Sequence, residues 1–362
     1  MTPRVAIACS GLGFVRRGNE TWAATLAEGI HKSGGHTILF GSGPRPEARS
    51  PYVRIPCWRR DGWIRRFLSW DRSYLFEQIT FARNLRRHLT ASRFDIVHTS
   101  DPNLAQQLIP HARRRNLALI YKDGLLIGPE WCSKFDHVQV LAPAYERIAR
   151  DAGVDTGGWR AIPHFVDGKA FSPAPKKESS PRTVLAVGDF SNKGAKRMDW
   201  VVDEVAKVKA PVRLILAGNA SKEDVSKLRA LAEEKLRDRV EIVTGLEHHQ
   251  MPALYRRADL FVHAATREPF GIVFLEAMAS GLPAIGHQFE VTEWIIGPGG
   301  AVVDMTKPGE LAREIDRVLS DEALLKQLGS AAIARTKTVF DKDAVLLKYH
   351  QWYDELVRRR SR

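Results

Sequence analysis

RVAIACSGLGFVRRGNETWAATLAEGIHKSGGHTILF, residues 4–40, opens on an apolar strand pattern, turns through glycines and runs on as a helix over residues 20–33. Gly34-Gly35 stops that helix, and HTILF (36–40) reads as a second strand. A strand–helix–strand unit of this kind belongs to a parallel sheet. Working outward, DIVHT (95–99), LALIY (117–121) and HVQVLA (137–142) are further strands separated by helical stretches, which predicts a doubly wound α/β domain. Its Gly11-x-Gly13 turn does not complete a dinucleotide fingerprint, because Arg16 stands where the third glycine belongs. A Rossmann dehydrogenase is excluded on that ground.

From 161 to 181 the composition changes to AIPHFVDGKAFSPAPKKESSP, which cannot sustain a helix or a central strand. The strand pattern then restarts. TVLAVG (183–188), VRLILAG (212–218), VEIVTG (240–245), LFVHAA (260–265) and LPAIG (282–286) are apolar strands, four of them running into glycine. The expected organisation is a first Rossmann-like domain over 1–172, a linker over 173–181, a second Rossmann-like domain over 182–340, and a C-terminal helix over 341–362 crossing back to the first domain. A chain of 362 residues is long enough for two such cores without staples.

Cys9, Cys57 and Cys132 are far apart, with no CxxC, so neither a disulfide framework nor a structural zinc site is expected. No apolar run approaches the roughly 18 residues that span a bilayer, and the stretch 5–9 is too short for a signal-peptide core. A cytoplasmic protein is the expectation. The net charge of +13 is uneven: residues 1–172 hold 25 Lys/Arg against 15 Asp/Glu, and residues 173–362 hold 30 against 27. Something acidic is expected to meet the first half.

The chemistry concentrates in REPFGIVFLEAMASGLPAI, residues 267–285. Residues 271–280 read as a helix stopped by Gly281, with Pro283 beyond. Free amides at its start suit a diphosphate. Glu268 lies just before that start and Glu276 eight residues on, roughly 12 Å away at helical rise. Carboxylates on both sides of a phosphate site suit a ligand with hydroxyls on both sides of a diphosphate, which describes a nucleotide sugar. The spacing alone is equally met by glutamates that favour a helix N-terminus.

The residues around the pair carry more. E-P-F-G-x-x-x-L-E-A-M-A-x-G-L-P resembles the signature of the family-4 retaining glycosyltransferases, two-domain enzymes of GT-B fold. VGDFSNKG (187–194), LILAG (214–218), VEIVTG, MPALYRRADLFVHAA, Glu293 in VTEWI, and the segment IPHFVDGKAFSP (162–173) keep the family's order. RGNETWAATLAEGIHKSGGHTI (17–38) and FDIVHTSDP (94–102) match more loosely. The resemblance implies two Rossmann-like doubly wound domains facing a central cleft that closes on the donor. It implies that Glu276 holds the ribose hydroxyls and Glu268 those of the transferred sugar. Phe270 and the amides of Gly271, Ile272 and Val273 would line the phosphates, Lys193 would neutralise the leaving diphosphate, and Gly18 would let the first domain's backbone close over it. Glu268 and Lys193 are the catalytic candidates. Lysine and a helix dipole can stabilise that charge, so no cofactor or metal is expected. Transfer would proceed with retention, the leaving phosphate helping to deprotonate the acceptor on the same face, and Glu268 is assigned to positioning and electrostatics.

The chain departs from the family pattern in three places. Asp189 stands where an arginine is common, so a second cation on the diphosphate comes from Lys196 or Arg197 or is absent, and either residue reads equally as a solvated helix-face charge. Lys122-Asp123-Gly124 replaces a histidine segment near the sugar, making Lys122, Asp123 and Arg197 further candidates for sugar or acceptor contact. The N-terminal paired-glycine turn is Gly18-Asn19, followed by Glu20. Asp341-Lys342-Asp343 has the spacing of a metal-binding DxD, but reads better as a helix cap with dipole pairing.

Residues 54–93 hold ten arginines and three acids, interleaved with Trp58, Trp63, Phe67, Leu68, Trp70, Tyr74 and Phe76. That pattern suits contact with an anionic membrane surface or an anionic acceptor. Aromatics packed as core beneath a solvated arginine face satisfy it as well. The overall expectation is a hexosyltransferase moving sugar from a UDP- or GDP-sugar to a saccharide or lipid-linked acceptor in cell-envelope glycan or polysaccharide synthesis, cytoplasmic or peripheral at the inner membrane face. A GT-B nucleotide-sugar epimerase or phosphorylase is the alternative enzyme, and a basic nucleic-acid-binding protein is the alternative from a different class. Nucleic acid is not expected as a partner: the charge allows it, but the chain has no RNP, KH, zinc-finger or helix-turn-helix signature.

Overall fold

The computed structural model describes all residues except 1, 16–17, 47, 125, 175–180, 192–194 and 361–362, and the side chains of 64 and 65. The chain divides into two compact units, residues 1–164 with 343–362, and residues 165–342.

The first unit holds β1 (Arg4–Ala8), β2 (His36–Gly41), β3 (Tyr52–Arg54), β4 (Ile96–Thr99), β5 (Ala118–Lys122), β6 (His137–Val140) and β7 (Trp159–Ala161). They pair throughout in parallel, in the order β3-β2-β1-β4-β5-β6-β7. Apart from Arg4, the strands of the centre are buried, which is why they read as apolar runs. The helix Gly18–Lys32 returns from β1 to β2 and ends at Gly34, whose φ of 83° closes the turn.

The C-terminal helix Lys342–Arg360 belongs to this first unit from Asp343 onward. It buries Val345, Leu346, Tyr349, Trp352, Tyr353 and Leu356. The Tyr349 hydroxyl accepts from Trp22 Nε1 at 3.2 Å and from Gln139 Nε2 at 2.7 Å, while Tyr353 meets His98 Nδ1 at 2.8 Å. Leu346 lies so close to Gly29 that a Cβ there would fall 2.8 Å from its methyls.

The second unit holds β8 (Arg182–Val187), β9 (Val212–Ala217), β10 (Val240–Val243), β11 (Leu260–Val262), β12 (Ala284–His287) and β13 (Gly300–Val303), parallel in the order β10-β9-β8-β11-β12-β13. This unit begins at Phe165, ahead of the stretch that the sequence suggested as linker. Phe171 is buried, 5.9 Å from the Tyr255 ring, and the Arg256 guanidinium donates to the carbonyls of Ser172 and Ala170. These contacts tie 165–172 to the second core. Both sheets are doubly wound, and among the described residues no helix is long and apolar enough to cross a membrane.

Candidate active site

In the second sheet the order reverses between β8 and β11, and ligands of open parallel sheets gather beyond the carboxyl ends at such a point. Residues 188–191 and 195–197 follow β8 among the described residues, and the loop leaving β11 carries residues 263–271.

Glu268 sits where the two loops meet. Its Oε2 accepts from His263 Nε2 at 3.0 Å and pairs with the Lys196 ammonium. Burial by itself would raise the carboxyl's pKa. The His263 hydrogen bond and charge, joined by Lys196, overcome burial and hold it down to about 2. His263 is held in place by its neighbours: its ring stacks on Phe261 at 6.3 Å and meets the Phe274 ring edge-on at 5.2 Å. Glu268 is thus a fixed negative charge.

Glu276 lies on the helix Ile272–Ala279 and is also buried. Its Oε2 accepts the Tyr255 hydroxyl at 2.8 Å, and its Oε1 meets His248 Nε2 at 2.9 Å. Burial, then the Glu276 charge, pushes the Tyr255 phenol far above its ordinary pKa, so it remains a donor. The hydrogen bond to Glu276 raises the His248 pKa against the opposing effect of burial. Phe171 packs against both partners, 5.6 Å from the His248 ring and 5.9 Å from that of Tyr255.

Gly271 separates the two carboxylates. Its φ of 81° is the left-handed turn that admits the chain to the helix, and a Cβ there would stand 2.8 Å from the Phe274 ring and 3.0 Å from Glu268 Cγ. Glu268 therefore precedes a turn, and the helical rise used in the sequence estimate does not set its separation from Glu276. The first-turn amides of Gly271, Ile272 and Val273 have no acceptor within the helix, and the positive end of the helix dipole lies there. At the other end Gly281 N–H bonds to Met278 O and Leu282 N–H to Ala277 O, a Schellman closure.

Other sequence candidates fall differently. The Phe270 ring is core, edge-on to Trp294 and Phe340, so only its main chain is left for a ligand. Arg197, a candidate cation in the sequence, is engaged by groups of its own unit. It adopts φ 52° at the start of the helix Met198–Val205, lies over the Trp200 ring, and donates to the carbonyls of Met305 at 2.6 Å and Ala264 at 3.5 Å. Asp189 closes a local turn by accepting from Ser191 N–H. Lys193 lies outside the described residues.

Gly18, Lys122 and Asp123 belong to the first unit. Lys122 is buried at the end of β5, donates to Asn19 Oδ1 at 3.2 Å and lies 4.8 Å over the Trp22 ring; burial lowers its pKa to about 8. Asp123 accepts from Leu126 N–H and faces the Cys132 thiol. Gly18 starts its helix with open space where a Cβ would stand. His263, His248, Tyr255 and Phe171 were not anticipated. A histidine at the end of the apolar run LFVHAA was one available signal, whereas His248 opens the short 3-10 turn His248–Gln250, capped by Glu247 and Gln250. Asp341 pairs with Val166 just before the C-terminal helix, and among the described residues no group of three or more His, Cys, Asp or Glu is placed to hold a metal.

Residues 168–335 match the family described as "Glycosyl transferases group 1". The second unit is a domain of that class. The match lies within the second unit, and the fold of the chain is GT-B. It is similar to the MMP alpha-(1->4)-mannosyltransferase of Mycolicibacterium hassiacum, with 25% identity over 59% of this chain and 52% of that protein. The GDP-mannose:cellobiosyl-diphosphopolyprenol alpha-mannosyltransferase of Xanthomonas oryzae is 37% identical over 51% of this chain and 45% of its own. The chain thus spans about half the length of these curated relatives. Among solved structures, a sucrose-phosphate synthase of Thermosynechococcus elongatus superposes with a TM-score of 0.84 at 21% identity, covering 99% of this chain and 100% of that one.

Proposed function

We propose that the protein is a retaining hexosyltransferase that takes a UDP- or GDP-sugar as donor and passes the sugar to a saccharide or lipid-linked acceptor in cell-envelope glycan synthesis. The observation that carries the reading is the pair of buried carboxylates, Glu268 and Glu276, set on either side of the Gly271 amide turn. Glu276 takes the ribose, with Tyr255 fixing its orientation through Oε2. The diphosphate lies on the first-turn amides of the helix. Glu268 takes hydroxyls of the transferred sugar and, being held ionised by His263 and Lys196, favours the positive charge that develops at the anomeric carbon. Lys196 stands beside Glu268, and with Lys193 it balances the charge of the leaving diphosphate without a divalent cation. The first unit takes the acceptor. The two mannosyltransferase relatives support a hexose, and the diphosphopolyprenol named for one of them supports a lipid-linked acceptor. Such an acceptor lies at an anionic membrane surface, and residues 54–93 are the part of the chain suited to meet one.

Kinetics of three variants test the assignment. Glu276→Ala and Lys193→Ala are expected to weaken donor binding, and Glu268→Ala chiefly to lower turnover. Unchanged kinetics in all three refutes it. Release of free nucleoside diphosphate that needs an acceptor separates transfer from epimerisation.

A further inference from the structure

Between β3 and β4 the first unit exposes a run of large apolar side chains that its core does not use. Trp63 is 68% exposed and Phe67 74% exposed, and Trp58, Trp70, Leu75 and Phe76 are exposed beside them. Four of them form one surface, because the rings touch in sequence: Phe67 to Trp63 at 6.1 Å, Trp63 to Trp58 at 6.4 Å, and Trp58 stacked on Phe76 at 6.3 Å. Folded proteins rarely leave such a contiguous patch without a partner.

The patch is also held firmly. Its base is the helix Trp70–Ala91, capped by Ser69. The preceding loop is pinned to that helix by Trp58 N–H on Thr80 Oγ1, by Asn84 Nδ2 on the Pro56 carbonyl, and by the buried Arg60–Glu77 pair. The rings are therefore displayed by a fixed scaffold.

Charge identifies the occupant. Arg66 and Arg72 are exposed, next in the chain to Phe67 and two residues from Trp70 respectively. Of the three acids in 54–93, Glu77 is buried on Arg60 and Asp61 is paired with Arg59, leaving Asp71. A second copy of this chain would set arginines against arginines. A nucleic acid strand needs open ring faces for its bases, whereas Trp58 is stacked face-on by Phe76 and met by the Trp63 ring. Exposed Trp and Phe rimmed by guanidinium groups match a bilayer interface that carries anionic headgroups.

We propose that this face docks the protein on an anionic lipid bilayer, with Trp63 and Phe67 entering the interface and Arg66 and Arg72 meeting lipid phosphates. The proposal deepens the lipid-linked reading of the acceptor and rests on it for its purpose. The test is flotation of the full chain with neutral phosphatidylcholine vesicles and with vesicles that also contain phosphatidylglycerol. Wild-type protein is expected to float with the anionic vesicles only. Because Trp63 and Phe67 support no core, the double variant Trp63→Ser/Phe67→Ser should fold as wild type, checked by circular dichroism, and partition about tenfold less at every salt concentration. The double variant Arg66→Glu/Arg72→Glu should lose binding most at low salt, where headgroup attraction is strongest. Retention of all protein in the soluble fraction, or equal flotation of the serine variant, overturns the proposal. So does a concentration-dependent dimer in sedimentation velocity that the serine variant abolishes, since the patch would then be an interface between copies. Nucleoside diphosphate release with a water-soluble saccharide acceptor, measured without vesicles, keeps the two readings apart: transfer unaltered in the serine variant with no flotation removes the docking surface and leaves the transferase.

Discussion

His248 occupies Oε1 of Glu276, one of the two oxygens that the proposed ribose site offers. Its pKa is raised above 6.5, so the imidazolium holds the carboxylate in full below 6.5 and releases it as pH rises through the raised value. Nucleoside diphosphate affinity is therefore expected to increase with pH across that range. In His248→Ala it should be about fivefold tighter at the acid end and nearly flat with pH, the partly exposed hydrogen bond being of modest strength; calorimetric titration at several pH values checks this. Glu268 behaves in the opposite sense. With its pKa depressed from 4.5 to about 2, its pairing contributes fully above 4.5 and is lost only as pH falls through about 2. Glu268→Gln leaves Lys196 and buried His263 without their anion, and should cost about 1–3 kcal/mol of stability in denaturant melts.

The helix Ile272–Ala279 matters through its two glycine ends. Gly271→Ala forces an L-residue into φ 81° and drives a methyl against Phe274 and Glu268. It should lower stability by about 1–2 kcal/mol and reduce turnover at saturating donor, because Glu268 must shift. Stability measured in urea beside kcat checks both halves. The helix itself was legible, since its apolar run, glycine stop and glutamates are all local signals. The inner strands were legible for the same reason, each being apolar on both faces. β3, β7 and β13 were missed. All three are edge strands of three or four residues with only partly buried patterns, so they leave no apolar run to read. The Glu268 partners were also hidden: His263 lies just after β11 and Lys196 in the segment after β8, a pairing that exists only once the sheet has formed.

At the scale of the chain, each unit carries its own sheet, and the first is completed by the last helix. Trp352, Tyr349 and Tyr353 close around buried His98, whose pKa burial lowers to about 3. Trp352→Ala should cost about 3–5 kcal/mol. The loss should appear in hydrogen exchange as reduced protection of β4, β5 and β6, with β8 and β11 unchanged. The sequence showed two α/β domains and the uneven charge. Whether the aromatics of 54–93 pointed inward could not be read, because Trp and Phe at irregular spacing serve core and surface alike; burial of Phe81 and Leu85 with exposure of Trp63 and Phe67 answers it. In the proposed function, Glu276 and the amide turn beside it bind a nucleotide sugar. Thermal shift with a panel of nucleoside diphosphates and nucleotide sugars, with and without chelator, on wild type and Glu276→Ala, tests it most directly. Stabilisation of wild type by a uridine or guanosine compound, unchanged by chelator and lost in the variant, is the predicted result. No shift from any of them, or an equal shift in the variant, would contradict it.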